Sequence, residues 1–343
     1  MCHPRTPAQG YSRAVPLPER ALIAEIRRQA RHLPDRGHSA GGLHIVRGIG
    51  DDCAVLRSVP GREILVTTDF TLEGVHFRRK WHSPDSVGHR CLARGLSDIA
   101  AMGGKPEAIF LSLALPPELP QSWVRNFIAG LHRLARKHGA TLAGGDTAQS
   151  PNGILADIIV LGSVPAGKAI LRSGAKAGDR IFVTGELGGS AAAVRAMYKR
   201  PNTRPDKKAF RRHFYPEPRV EVGSVLREKK FASAMIDTSD GLSTDVLHIC
   251  QESGVGAEIY ADRIPRARVG SPRSEVSLDL ALHGGEDYEL LFTVPARKKL
   301  PSILGGIKLS EIGRITARKD VVLISKGVAT PLEPRGWEHF RRK

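Results

Sequence analysis

The spacing of apolar residues along the first half of the chain predicts alternating helices and strands. Apolar positions that recur every three or four residues predict helices over residues 18–32, 83–102 and 121–138. Short β-branched or apolar runs predict strands over residues 63–68, 108–115, 141–143 and 154–164. Asp69 is expected at the end of the first of these strands, and Asp98 in the last turns of the second helix.

The alternation restarts after residues 165–178, which contain Gly, Lys, Arg and Ser without a regular period. Further strands are predicted over residues 179–184, 232–236, 257–260, 288–294, 308–315 and 321–324, and a helix over 242–252. Both halves are therefore predicted to be α/β or α+β domains. The expected division is a flexible basic extension at 1–17, an N-terminal domain at 18–165 and a C-terminal domain at 166–343.

Composition narrows the class of protein. With 41% hydrophobic and 25% charged residues among 343, the chain resembles an ordinary globular protein. No run approaches the ~20 apolar residues of a membrane span, and no secretory signal is recognisable. The four cysteines are far apart and form no C-x-x-C pair, which argues against a zinc site or a disulfide framework and favours a reducing cytoplasm.

The net charge of +17 admits three explanations: nucleic-acid binding, attraction of anionic substrates, or a basic solvated surface. The densest basic groups lie at residues 207–212, 227–230 and 341–343, and aromatic residues are not interleaved with them. We therefore favour the solvated surface and expect neither a nucleic-acid nor a membrane partner.

Acidic residues stand beside Gly, Thr or Ser at five turns, and this repetition indicates a shared role. Any single turn of this kind is most simply a cap or a turn-stabilising residue. Five together favour a group of oxygen ligands for Mg²⁺, which usually completes its coordination with water and substrate phosphates. The five segments are Gly50-Asp51-Asp52, Thr67-Thr68-Asp69, Gly144-Gly145-Asp146, Asp237-Thr238-Ser239-Asp240-Gly241 and Gly284-Gly285-Glu286-Asp287.

Generic nucleotide-binding motifs add little. Residues 162–169 match a phosphate-binding loop except at the last position, where Ala169 replaces the Ser or Thr that would hold Mg²⁺, so we treat the match as chance. Residues 185–190 could hold an anion at a helix N-terminus, but close packing of strand on helix is the favoured explanation for their glycines.

The acidic turns, in this order, resemble the thiamine-monophosphate kinase family of the aminoimidazole ribonucleotide synthetase-like superfamily. The resemblance runs from about Leu22 to Phe340 and rests on the segments GIGDDCAVL, TTDFTLEGVHF, LSDIAAMGGKP, AGGDT, LRSGAKAGD, IDTSDGL, GGEDYELLFT and GWEHF. It implies a two-domain fold in which the N-terminal sheet forms a homodimer interface and the nucleotide lies between the domains. It also implies transfer of a phosphoryl group from ATP to thiamine monophosphate, the last step of thiamine diphosphate biosynthesis.

Carried over position by position, the resemblance assigns roles to individual residues. The implied Mg²⁺ ligands, several ions in all, are Asp52, Thr67, Thr68, Asp69, Asp98, Asp146, Asp237 and Asp240. Among these, the residues implied in catalysis are Asp69, Asp146 and Asp240. The implied ATP contacts are Gly145, Asp146, Arg172 and Ser239, and the implied contacts to thiamine monophosphate are His76, Glu286 and Trp337.

Structural roles remain open for three of these residues: a turn for His76, a surface ion pair for Arg172 and packing for Trp337. The chain departs from the family pattern at Cys53, where Ala or Thr is common, and in its longer basic N-terminus. Neither departure removes an implied ligand.

Two competing functions are considered. Another enzyme of the superfamily is the nearer one. The cyclase would release inorganic phosphate, selenophosphate synthetase would need a reactive Cys or its equivalent in a Gly-rich N-terminal segment, and the hydrogenase maturation factor needs a C-terminal Cys. This sequence ends in Arg-Arg-Lys. A nucleic-acid-binding protein with purely structural acidic turns would show salt-sensitive binding, and no recognised binding motif supports it.

Overall fold

A computed structural model describes residues 25–26, 28–29, 43–47 and 55–337. The described residues between 25 and 29 are helical, in agreement with the helix predicted over 18–32. The predicted basic extension at 1–17, the acidic pair Asp51-Asp52 and Cys53 lie outside the described residues.

The N-terminal domain is a four-stranded sheet with two helices on one face. Its elements are β1 (Leu43–Arg47), β2 (Val55–Ser58), β3 (Arg62–Leu72), α1 (Pro84–Ala101), β4 (Lys105–Leu115), α2 (Gln121–His138), β5 (Thr141–Gln149) and β6 (Leu155–Pro165). The strand order is β3-β6-β4-β5, with β4 and β5 parallel and the other neighbours antiparallel. Strands β1 and β2 form a separate antiparallel pair.

The C-terminal domain is built on a larger, mostly antiparallel sheet. Its elements are β7 (Arg180–Thr184), α3 (Gly189–Lys199), α4 (Arg211–Phe214), α5 (Val220–Glu228), β8 (Ala234–Asp237), α6 (Leu242–Ser253), β9 (Gly256–Tyr260), β10 (Arg268–Val269), β11 (Ser274–Glu275), α7 (Leu278–His283), β12 (Leu290–Val294), β13 (Ile303–Leu304), β14 (Ile307–Thr316), β15 (Val321–Ser325) and β16 (Val328–Pro331), with a short 3₁₀ turn at Ala261–Arg263. The strand order is β16-β15-β9-β14-β7-β12-β8, and β13 pairs with β14.

Two strands are longer than their apolar runs predicted. Asp69 was expected at the end of a strand, but β3 pairs with β6 over its whole length, so Asp69 lies opposite Ile158 inside the ladder. Likewise Gly145 and Asp146 were expected after a strand, but they pair with β4 and lie within β5. Polar residues continue both strands because a neighbouring strand satisfies their backbone groups, which the side-chain pattern alone does not reveal.

The two domains share one apolar core across their contact. Leu96 and Ile99 of α1 belong to the same buried cluster as Leu226 of α5 and Phe292 of β12. The backbones also approach closely, since a Cβ added at Gly223 would lie 2.1 Å from the Ala100 carbonyl oxygen. Helix α1 is therefore packed between the N-terminal sheet and the C-terminal domain, and it holds the two domains in register.

Helices α1 and α2 pack with their backbones in contact. A Cβ at Gly88 would lie 1.9 Å from the Phe127 carbonyl oxygen, and one at Gly130 would lie 1.9 Å from the Asp85 carbonyl oxygen. Side chains at these two positions would force the helices apart, because a packed interior cannot absorb such an overlap. No helix among the described residues is long and apolar enough to cross a membrane.

We expect Gly130→Ala to lower the free energy of unfolding by about 1–3 kcal/mol, because the overlap outweighs the better helix propensity of alanine. The control is Asn126→Ala on the exposed face of the same helix, where no loss is expected. Denaturant unfolding of both variants measures the difference. Equal stability of Gly130→Ala and the wild type would show that α1 and α2 do not pack at this distance.

Candidate active site at the domain interface

Three carboxyl groups, two from the N-terminal domain and one from the C-terminal domain, lie where α1 packs between the two domains. Asp69 comes from β3, Asp98 from the last turns of α1 as predicted, and Asp237 from the end of β8. Thr67 Oγ1 donates to Asp98 Oδ2 at 2.5 Å, and Ser97 Oγ donates to Asp237 Oδ2 at 2.6 Å. The Ser97 contact crosses from the N-terminal to the C-terminal domain, so domain packing itself assembles this group of acids.

The pKa values of all three acids are raised. Burial raises the pKa of Asp69 to about 6, although the charge of Arg94 opposes the shift. Burial and the neighbouring charge of Asp98 raise the pKa of Asp237 to about 7, and burial also raises the pKa of Asp98. Each shift means that an additional positive charge would be favourable here, because desolvated carboxylates repel one another.

The chemistry of this group suits a hard cation. All the donors are carboxylate or hydroxyl oxygens, and Asp98 lies within hydrogen-bonding reach of Asp69. Among the described residues, no group of three or more His, Cys, Asp or Glu side chains is by itself placed to hold a metal ion. An open set of carboxylates is nonetheless what Mg²⁺ uses when water and phosphate oxygens complete its coordination.

Glu286 forms the opposite side of the site and is held by two arginines of α1. Arg90 contacts Glu286 Oε2 at 2.6 Å, and Arg94 contacts Glu286 Oε1 at 3.1 Å. Burial alone would raise the pKa of Glu286, but the two guanidinium groups outweigh it and keep that pKa below its ordinary value. Glu286 is therefore an ionised carboxylate, and these pairs again join the two domains.

The neighbouring acid Asp287 has a different role. Its carboxylate accepts backbone N–H groups from Gly188 and Ser190, with the Ser190 contact at 3.0 Å, at the start of α3. The acceptor at this helix N-terminus is thus a side chain of the chain itself, and burial raises the pKa of Asp287 to about 7. The close packing favoured for the glycines of residues 185–190 is seen at Gly188, where a Cβ would lie 2.9 Å from the Ala281 backbone nitrogen. Glu286 and Tyr288 flank Asp287 with φ values of 64° and 52°, a strained conformation for residues other than glycine.

The turn after β8 packs against the Glu286 turn. The Glu286 backbone N–H donates to the Ser239 carbonyl at 2.8 Å, and the Trp337 N–H donates to the Asp240 carbonyl at 3.0 Å. Trp337 as a residue is 56% exposed, so a ligand beside this turn could reach it. These backbone hydrogen bonds place Ser239, Asp240, Glu286 and Trp337 side by side, and we call them one wall of the site. Their predicted roles differ: ATP for Ser239, Mg²⁺ for Asp240, and thiamine monophosphate for Glu286 and Trp337.

His76 and Arg172 affect the pKa values of the site's acids, which indicates that both residues lie near the site. His76 Nδ1 accepts the Leu72 backbone N–H at 3.0 Å, so the turn role left open for this histidine is present. His76 also helps to lower the pKa of Glu286. The charge of Arg172 acts to lower the pKa of both Asp98 and Asp237. Arg172 is therefore within electrostatic range of these two acids.

Thr68 and Asp146 are not brought into the buried group. Strand register places both on the open face of the sheet, where Thr68 Oγ1 donates to Asp157 Oδ1 at 2.7 Å. Asp146 is exposed, and its Oδ1 accepts the adjacent Thr147 N–H. Gly145 has a φ of +152°, and a Cβ there would lie 1.9 Å from the Leu111 carbonyl oxygen, so only glycine fits this position.

Sequence reasoning missed Arg90, Arg94 and Ser97. They stand at spacings of four and three residues on a helix whose neighbouring positions are buried apolar residues. Charged side chains on a buried helix face require partners, and this was the available signal. To use this signal, one would have had to know that Glu286, almost 200 residues later, lies opposite these arginines.

The phosphate-loop match at residues 162–169 has no structural counterpart. Gly162 lies inside β6, opposite Leu65 of β3, so no loop precedes a helix there. Treating that match as chance is therefore confirmed.

The two-domain fold with acids at the domain contact defines a class of protein. Residues 50–164 match the family model described as AIR synthase related protein, N-terminal domain, and residues 176–326 match the C-terminal domain of the same family. The E. coli hydrogenase maturation protein HypE, at 19% identity and a TM-score of 0.68 over 92% of this chain and 98% of its own, shares the fold.

Relatives with higher identity define the group within that family. Thiamine-monophosphate kinase of Salmonella typhimurium is 37% identical over 87% of this chain and 93% of its own length, and that of Bacillus subtilis is 34% identical over 86% and 93%. The crystal structure of thiamine-monophosphate kinase from Stenotrophomonas maltophilia is 34% identical, with a TM-score of 0.75 over 90% of this chain and 97% of its own. This chain belongs to the AIR synthase related family and, within it, to the thiamine-monophosphate kinases.

A further solved structure shows ligands on the same fold. It is described as AaThiL complexed with AMPPCP and TMP, with 29% identity and a TM-score of 0.73 over 94% of this chain and 97% of its own.

We predict that Arg90→Met lowers the free energy of unfolding by about 3–5 kcal/mol, because it leaves a buried carboxylate with one cationic partner in place of two. The side chain of Arg90 is only 4% exposed. The control is Arg133→Met, since Arg133 is 56% exposed in its ion pair with Asp85 and should change stability by less than about 1 kcal/mol. Thermal or denaturant unfolding compares the two, and equal losses would refute a buried interdomain role for Arg90.

Proposed function

We propose that this chain transfers the γ-phosphoryl group of ATP to thiamine monophosphate, giving thiamine diphosphate and ADP. The observation that supports it most is the group of one buried and two partly buried carboxyls, all with raised pKa values, facing an ionised Glu286 across the domain contact. Such a site requires cations on one side and offers an anchoring acid on the other. The relatives named thiamine-monophosphate kinase, and the AMPPCP and TMP bound to one of them, identify the substrates.

The nucleotide would bind with Mg²⁺ ions at the acidic side of the site. The residues proposed to hold ions at the acidic side are Thr67, Asp69, Asp98, Asp237 and Asp240. Asp52, Thr68 and Asp146 are also proposed as ligands of the several ions, with Thr68 and Asp146 on the open face of the sheet and not at the acidic side. Bound Mg²⁺ would neutralise phosphate charge and orient the phosphates. For ATP we propose contacts from Gly145, Asp146, Arg172 and Ser239.

Thiamine monophosphate would bind at the wall formed by the two turns. The indole of the exposed Trp337 offers a face on which the cationic thiazolium or the pyrimidine ring can stack. Glu286 is ionised and can accept a hydrogen bond from the ligand, while His76 lies within electrostatic range of it. The phosphate of the ligand would then point toward the acidic side and the nucleotide.

The reaction needs alignment and charge neutralisation more than proton transfer. The attacking oxygen belongs to an ionised phosphate, so no strong general base is required. The side chains on both walls would hold the two substrates in line, and the positive groups would reduce the repulsion between their phosphates. This explains why acids and arginines predominate in the part of the site that the structure describes.

We also propose a homodimer formed through the open face of the N-terminal sheet, and a cytoplasmic location. Val66 and Phe70 of β3 are 65% and 55% exposed on that face, although both are apolar. Strands β1 and β2 cover the other part of the same face, where Leu43 packs with Ala108 and Ala143. A second copy would cover the exposed part, as large apolar patches on soluble proteins generally mark interfaces.

The proposal is tested by incubating the purified protein with Mg-ATP and thiamine monophosphate and measuring both products. Equal amounts of thiamine diphosphate and ADP are expected. ADP with inorganic phosphate and no thiamine diphosphate would reject the acceptor, and no ADP would reject the ATP assignment as well.

In the same assay, Asp69→Asn and Asp237→Asn should each reduce kcat by about 10²–10³-fold, because the uncharged amide cannot help to neutralise the reacting phosphates. Both variants should keep or raise the thermal midpoint, since they remove buried charge. The control Asp279→Asn alters an acid that is 64% exposed in an ion pair with Arg335 and should leave kcat unchanged. Near-normal turnover of either site variant would remove that acid from the mechanism.

Light scattering tests the dimer. The wild type should have twice the chain mass of 37.2 kDa, and Val66→Arg should yield monomers, because a charge cannot be buried at an apolar interface without a partner. The matched variant Val328→Arg changes a residue of similar exposure, 62%, on β16 and should remain dimeric. A wild-type monomer, or a dimer of Val66→Arg, would rule out this interface.

A further inference from the structure

Arg90 and Arg94 stand one turn apart on α1 and contact the same carboxylate, but their environments differ. Arg90 is 4% exposed, and in addition to Glu286 it donates to the buried His213 carbonyl oxygen. Arg94 is 17% exposed and reaches Asp69 and the hydroxyl of Tyr288 as well as Glu286. Arg90 is thus fixed inside the domain contact, whereas Arg94 lies at the surface of the site.

The hydrogen bonds of Arg94 are incomplete. Its NH1 group donates to Glu286 at 3.1 Å and to Tyr288 at 3.2 Å, but its NH2 group is 3.4 Å from Asp69. Its Nε is buried and makes no hydrogen bond within the part of the chain that the structure describes. A guanidinium has five N–H donors, and a purely structural arginine at this depth would normally satisfy more of them.

The position of Arg94 coincides with the place where the two substrates would meet. Asp69 belongs to the acidic side proposed for the nucleotide, and Glu286 to the wall proposed for thiamine monophosphate. Arg94 spans the two, with contacts to one acid on each side. A cation at this point would face the acceptor phosphate of a ligand held against Glu286.

We propose that Arg94 is a catalytic residue that binds the phosphate of thiamine monophosphate and directs it at the γ-phosphorus of ATP. This proposal rests on the proposed function. The contact with Glu286 fixes the NH1 side of the guanidinium. The long contact with Asp69 is exchanged when that acid takes part in binding Mg-ATP, and the freed N–H donors grip two oxygens of the acceptor phosphate, the fork geometry that arginine favours.

With two oxygens held, the third oxygen of the acceptor phosphate attacks. It forms a bond to the γ-phosphorus, the bond from that phosphorus to the β–γ bridging oxygen breaks, and ADP leaves with the electron pair. Arg94 remains protonated throughout and gives up no proton. Its charge offsets the repulsion between the two phosphates, which bound Mg²⁺ at the far side would offset only in part.

The test compares two ligands that differ only in the phosphate. With Mg²⁺ and a non-hydrolysable ATP analogue present, calorimetry measures binding of thiamine monophosphate and of unphosphorylated thiamine to the wild type, Arg94→Gln and Arg94→Lys. We expect Arg94→Gln to weaken binding of thiamine monophosphate by about 10–100-fold while changing thiamine binding by less than about 3-fold, because charge-assisted hydrogen bonds to the phosphate are lost. Arg94→Lys should be intermediate for thiamine monophosphate, since it keeps the charge but not the fork.

The control Arg133→Gln, on the exposed face of α2, should bind both ligands as the wild type does. Equal weakening of both ligands by Arg94→Gln, or no weakening of either, overturns the role proposed for Arg94. If Arg94→Gln does not fold, the same comparison is made with Arg94→Lys, and an unchanged ratio of the two affinities overturns it. A wild type that does not bind thiamine monophosphate overturns the proposed function, and this assignment with it.

Discussion

The full or partial burial of three carboxyl groups where the two domains touch is the constraint on which the rest of the site depends. Asp69, Asp98 and Asp237 come from a strand and a helix of one domain and a strand of the other. Each carboxylate would be more stable in water. Asp98 raises the pKa of Asp69 and of Asp237, and Asp69 also raises that of Asp237. Such an arrangement persists only because the apolar contacts of α1 with both domains stabilise the fold enough to offset it. A ligand that brings cations to this point would relieve the repulsion, so the strain favours binding.

On the opposite wall, the same domain contact lowers the pKa of an acid, Glu286, in contrast to the three raised pKa values of the acidic group. Glu286 stays ionised because Arg90 and Arg94 approach it from α1. Its backbone has a positive φ. One helix therefore contributes to both walls: Asp98 to the acidic group, and two arginines to Glu286. A shift of α1 would disturb both walls at once. The close backbone contact at Gly88 and the apolar core hold the helix in place.

Much of this organisation could be predicted from the sequence, and the limits have physical reasons. Helix α2 was predicted with its observed bounds because its apolar period is regular and a glycine ends it. The acids were recognised because oxygen ligands recur beside glycines. Strand register was not predictable, because pairing between β3 and β6 depends on residues about 90 positions apart. For the same reason the sequence did not separate Asp69 from Asp146, which lie on opposite faces of one sheet, or reveal the partners of Arg90.

The most direct test of the central claim is a crystal structure with Mg²⁺, a non-hydrolysable ATP analogue and thiamine monophosphate. We predict metal ions between the nucleotide phosphates and the oxygens of Asp69, Asp98 and Asp237, at about 2.1 Å as magnesium coordination requires. Metal ions and phosphates bound elsewhere, with these three carboxyls still hydrogen-bonded only to protein groups, would contradict the account.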